Sequence, residues 1–183
     1  MSDIMNPHYI GMLTRHLELL DTQVVEISNR ISISADPESD GLCDAGEYFI
    51  GYGFVAVQGY MTATRAYLGL SKQSPLKLPP MLNNNLSFAE AINAGANYWK
   101  HHEEWFEIDF ASSKHREDTF RTLDKLVLAN APRADYTCSN LLAVLVGAEE
   151  FALSSLLPKL SEWYENVNCL SELAKTSPEK TAS

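Results

Sequence analysis

Residues Pro7 to Ser32 read PHYIGMLTRHLELLDTQVVEISNRIS, and within them Ile10, Leu13, Leu17, Leu20, Val24, Ile27 and Ile31 recur at alternating spacings of three and four. That period places all seven side chains on one stripe of an α-helix, in the manner of a coiled-coil seam. Asn6 is suited to cap the start. Pro7 fits the first helical position, where its missing N–H would have had no partner. The spacing predicts a helix over 7–32, with more apolar stripe than one neighbouring helix must cover.

The chain beyond this helix continues the pattern. The acidic segment SADPESDG has no apolar anchor and reads as an exposed loop. A second helix is expected over 44–70, on Tyr48, Phe49, Tyr52, Val55, Tyr60 and Leu68. Gly46, Gly51, Gly53 and Gly59 fall in its body. Each costs a helix about 1 kcal/mol relative to alanine, so they mark a bend or a face where another helix comes close. Neither a GxxxxGK[ST] motif nor a strand followed by GxGxxG is present, which removes the phosphate-loop reading. Ser71 to Asn85, with three prolines and three consecutive asparagines, reads as a crossover loop. SFAE, Ser87 to Glu90, is a capping box that opens a helix over 87–106. A fourth helix is expected over 114–130, with Phe120, Leu123 and Val127 on one side. APRAD breaks it, and a last helical region over 139–175 is expected to bend near Pro158, which removes an internal donor. Residues 176–183 read as a frayed tail. About five helices in one domain spanning 1–183 give an all-α, up-and-down bundle.

Composition agrees with a globular chain. The 183 residues are 45% hydrophobic and 21% charged, enough for one sizeable core. The longest apolar run, from Leu141, is interrupted by Glu149 and Glu150, so no membrane span is expected. MSDIMNPHY lacks the basic and apolar regions of a secretory leader, and a cytoplasmic location is expected. Cys43, Cys138 and Cys169 are odd in number and widely spaced, with no CxxC, and read as small buried or half-buried thiols. A formal net charge of −10 disfavours RNA and other phosphate backbones as partners. Lys114, Arg116, Arg121, Lys125 and Arg133 are dense in sequence, but Glu117, Asp118, Asp124 and Asp135 interleave them. That segment reads as a solvated face laced with ion pairs.

Chemistry-bearing residues concentrate in NAGANYWKHHEEW, Asn93 to Trp105. On a helix, Phe88, Ile92, Gly95, Trp99 and Phe106 share an apolar face, with Trp99 as core, Trp105 as a helix-end anchor and His102 at the edge. Asn93, Asn97, His101 and Glu104 form a polar stripe beside it, at spacings of four, four and three. Lys100 joins that ridge. A metal site needs more than the His101–Glu104 pair, and without HExxH or repeated ExxH none is expected, nor any other cofactor.

Within this stretch ANYWKH resembles the HEPN superfamily in degenerate form. Asn97 matches the polar residue of the family motif and His101 its histidine, whereas Ala96 stands in the place of the arginine. These domains are helical bundles of prokaryotic toxin–antitoxin, abortive-infection and CRISPR-linked systems, and they commonly dimerise. In active members the histidine moves protons at the ribose 2′-hydroxyl and leaving oxygen, and the arginine stabilises the phosphorane. The resemblance therefore implies a bundle that kept its scaffold and lost the chemistry, acting in a defence or toxin–antitoxin system through a homodimer or protein partner. It also leaves open a metal-independent ribonuclease using His101, Lys100 and Asn97, in which Lys100 supplies a point charge without arginine's fork. An acidic antitoxin or immunity protein, steered to a basic partner by its charge, is the third reading.

Overall fold

The apolar stripe of the first helix is the seam on which the fold closes. The computed structural model describes residues 7–71, 73–104 and 116–176. Six α-helices lie among them: α1 Pro7–Ile33, α2 Leu42–Tyr67, α3 Phe88–His101, α4 Arg116–Leu128, α5 Thr137–Val146 and α6 Leu157–Thr176. The fold is all-α, as the periodicity predicts. Asn6, Trp105, Phe106, Lys114 and the tail beyond Thr176, each given a role above, lie outside the described residues.

Leu13, Leu17, Val24 and Ile27 of the α1 seam are buried, against α2 and the 3₁₀ turn Leu153–Leu156. Ile10, Leu20 and Ile31 of the same stripe are half-buried. The glycines of α2 divide into two kinds. A Cβ on Gly51 would overlap the Trp99 indole of α3, and one on Gly53 would overlap the Leu153 side chain. Gly46 and Gly59 meet no such obstacle. The close-approach reading therefore holds for the middle pair alone.

Two expectations need correction. Ser71 to Asn85 is more than a loop. It holds a 3₁₀ turn, Pro75–Lys77, and the first strand of a small antiparallel hairpin, β1 Met81–Asn83 with β2 Leu86–Ser87. The asparagines that read as loop form its turn, where the Asn85 N–H donates to Asn83 Oδ1 at 2.9 Å. The helix expected over 139–175 is two helices. Gly147, at φ 88°, ends α5 in a backbone conformation that side chains other than glycine rarely adopt. Two 3₁₀ turns follow, Ala148–Glu150 and Leu153–Leu156. Pro158 is the second residue of α6, where a proline needs no donor, so it marks a start instead of a bend.

Bounds shift elsewhere by a few residues. The second helix spans 42–67 instead of 44–70. The helix of the capping box ends at His101, short of 106. Of the thiols, Cys138 is buried and Cys43 half-buried, but Cys169 is exposed on α6, against expectation. In the basic segment, Arg121 pairs with Glu117 and Asp118 along its own helix.

Two carboxylates do the work of helix caps from a distance. Glu47, 7% exposed on α2, accepts from the Cys138 N–H at 2.5 Å and from the Ser139 N–H and hydroxyl at 2.8 and 2.6 Å. These are first-turn groups of α5 that have no helical partner of their own. Asp21 of α1 accepts likewise from the Leu153 and Ser154 N–H groups, at 2.6 and 2.9 Å.

Candidate functional site: the polar ridge of α3

α3 runs through the middle of the bundle. Its capping box is formed as the sequence predicts: Ser87 Oγ accepts from the Glu90 N–H at 3.0 Å, and Glu90 Oε2 accepts from the Ser87 N–H at 3.2 Å. The other Glu90 oxygen takes the Lys125 ammonium of α4 at 2.5 Å, which holds α3 to α4. Phe88, Ala89, Ala91, Ile92, Ala94, Gly95, Ala96 and Tyr98 are all buried. Small residues let neighbours come close: a Cβ on Gly95 would sit 2.6 Å from Leu141 Cδ2 of α5. What remains of α3 for solvent is mainly the stripe that the spacing picks out.

Asn93 and Asn97 are half-buried, and Lys100, His101 and Glu104 are exposed. Gln58 of α2 binds the first three together. The Lys100 ammonium donates to Gln58 Oε1 at 2.8 Å, and Gln58 Nε2 donates to Asn93 Oδ1 at 2.9 Å and Asn97 Oδ1 at 3.0 Å. The sense of this relay is fixed by chemistry. An ammonium has no lone pair, so only Oε1 can face it. Gln58 must then present its N–H groups to α3, and both asparagines must answer with oxygen. Their Nδ2 groups are left for the clefts on either side of the ridge.

His101 lies one turn on. Its Nδ1 is 3.2 Å from Glu104 Oε2, with both side chains largely in solvent, 47% and 69% exposed. A histidine–carboxylate pair can orient a proton-transfer group. His102 is engaged otherwise. Its Nδ1 faces the Trp99 carbonyl at 2.7 Å, and because a carbonyl only accepts, that nitrogen carries the proton. The ring stacks on Trp99 at 4.8 Å and on Tyr98 at 5.6 Å. It is the half-buried edge histidine that the sequence predicts. Trp99 itself, read as core, is half-buried: its indole stacks between His102 and the backbone at Gly51, with Tyr48 and Tyr52 at its edge. Tyr98 is buried, which pushes its phenol above the ordinary range, a rise that its hydrogen bond with Thr137 offsets in part. Ala96, which stands where the HEPN motif has arginine, is 0% exposed.

Two clefts flank the ridge. One, of about 300 Å³, lies between α2, α3 and the Pro75–Lys77 turn. The other, of about 710 Å³, lies between α3 and α4 and is bordered by His101, Glu104, Glu90, Asp118, Arg121 and Lys125. The sequence reading missed Gln58, and also Arg65 of α2, which lines the smaller cleft. The available signal was Gln58 itself, a lone amide in the otherwise apolar run GFVAVQGYM. Among the described residues no group of three or more His, Cys, Asp or Glu side chains could hold a metal ion, and no helix is long and apolar enough to cross a membrane. Compared with family models, curated proteins and solved structures, the chain matches none.

Proposed function

We propose that this chain is a HEPN-like helical bundle that acts by binding, as an accessory component of a prokaryotic defence or toxin–antitoxin system, and that its ridge of Asn93, Asn97, Lys100, His101 and Glu104 receives a protein partner or a second copy. One observation carries the reading: each charged or chargeable group of the ridge is already held by a neighbour, Lys100 by Gln58 and His101 by Glu104. A cleaving site needs a cation aimed at the developing phosphorane charge. Here the motif's arginine position lies in the core, occupied by an alanine side chain too short to reach a phosphate. The net charge of −10 suits attraction of a basic protein surface and opposes a phosphate backbone.

The purified chain, incubated with single-stranded RNA without added metal, is expected to leave the RNA whole. Cleavage that disappears in His101→Ala and survives in His102→Ala would replace this reading with the ribonuclease. A binding ridge also predicts that His101→Ala leaves the melting temperature nearly unchanged while weakening complex formation with the native partner or copy.

A further inference from the structure

We propose that the cleft between α2 and α3 binds a small organic anion through a phosphate or carboxylate group. This goes beyond the ridge, with which the cleft shares Asn93, Asn97 and Lys100. The chain carries 24 acidic residues, yet among the described residues no carboxylate lines this cleft. Its polar wall consists of Gln58, Thr62 and Arg65 from α2 facing Asn93, Asn97 and Lys100 from α3. The relay makes this wall one of donors. Lys100 occupies the single glutamine oxygen, and Gln58 occupies the oxygens of both asparagines. Their Nδ2 groups remain as donors, as do the N–H groups of Arg65 beyond the one given to the Leu70 carbonyl at 3.3 Å. A ligand that fits such a wall brings acceptors and negative charge.

Apolar surface completes the cleft. Met61 and Leu76 lie beside the donors, over the fully buried Trp163, whose Nε1–H is taken by the Pro75 carbonyl at 2.8 Å. The volume of about 300 Å³ accommodates a ligand of metabolite size. Two other clefts differ. The one between α3 and α4 mixes Glu90, Glu104 and Asp118 with its cations. Another, of about 810 Å³ beside Tyr98, Trp99 and His102, carries Glu38, Asp44, Glu47, Glu103 and Asp135.

Isothermal titration calorimetry of the full chain with AMP, citrate and inorganic phosphate tests the proposal. Saturable binding of AMP or citrate is expected, and which of the two binds tells phosphate from carboxylate. Gln58→Glu keeps the side-chain shape and sets a carboxylate in the middle of the wall, while both asparagines can rotate their amides to donate to it. Anion binding in this variant is expected to fall about tenfold or more, because like charges meet at close range, with the circular dichroism spectrum preserved. Lys100→Gln, on an exposed side chain, gives the same loss without touching the interior and serves if Gln58→Glu fails to fold. No saturable binding of any probe overturns the proposal, and so does binding that is unaffected in both variants. The RNA experiment is independent of this one: a chain that leaves RNA whole and binds no anion keeps the reading of the ridge and loses that of the cleft.

Discussion

Trp99 shows how much a single position can depend on one that precedes it by nearly fifty residues. Its indole occupies the space that a side chain on Gly51 would need, so the glycine is a seat, and the seat exists only because α2 and α3 cross there. Gly51→Ala is expected to cost about 1–3 kcal/mol through overpacking. Trp99→Ala is expected to cost about 2 kcal/mol, less than for a fully buried aromatic because the ring is half-exposed. The two effects are coupled: once the indole is gone, Gly51→Ala should cost nothing and even gain the helix propensity of alanine. Urea unfolding of the two single variants and the double variant measures this, and strictly additive costs would show that Trp99 does not sit on Gly51. The polar stripe was legible because Asn93, Asn97 and His101 repeat within one helix, where spacing reports a common face. Gln58 was not, because spacing within α2 says nothing about which residues of α3 it will meet, and the relay is a contact between helices.

Helices announce their interiors more clearly than their supports. The period of α1 and the capping box of α3 were both readable, being local and repeated. α5 is different. Its N-cap position, Tyr136, makes no side-chain cap bond, and the acceptor for its first turn is Glu47, 91 residues upstream of Cys138. The expected start at 139 lies two residues beyond the observed one, but the apolar sequence from Leu141 runs past Gly147 as if unbroken. Glu47→Ala leaves one buried and one half-buried N–H group without an acceptor and should destabilise the fold by about 2–4 kcal/mol, since each orphaned donor costs about 1–3. Glu47→Gln retains one amide oxygen and should cost less. Thermal melts of both variants decide this. Equal stability of Glu47→Ala and the parent would mean that water replaces the carboxylate and that α5 needs no cap from α2.

At the scale of the whole molecule, the core is one continuous cluster of buried side chains to which all six helices contribute, from Leu13 in α1 to Val167 in α6. The late segment α6 closes it. Trp163 is 1% exposed and bonds to the Pro75 carbonyl in the crossover, and Ser171 Oγ donates to the Leu68 carbonyl at 3.4 Å beyond the end of α2. The crossover and the floor of the anion cleft are therefore held in place by α6. Such a core has no seam along which half of the bundle can open and keep the rest buried. Unfolding is accordingly expected to be a single cooperative transition. In a chain carrying Trp99→Phe and Trp105→Phe, fluorescence reports Trp163 alone and therefore the docking of α6, while circular dichroism at the helical band reports all helices together. The two denaturation curves should coincide. A fluorescence transition at lower denaturant than the helical one would show that α6 undocks first, leaving a five-helix unit that folds without it, and the cleft above Trp163 would then be lost before the ridge of α3.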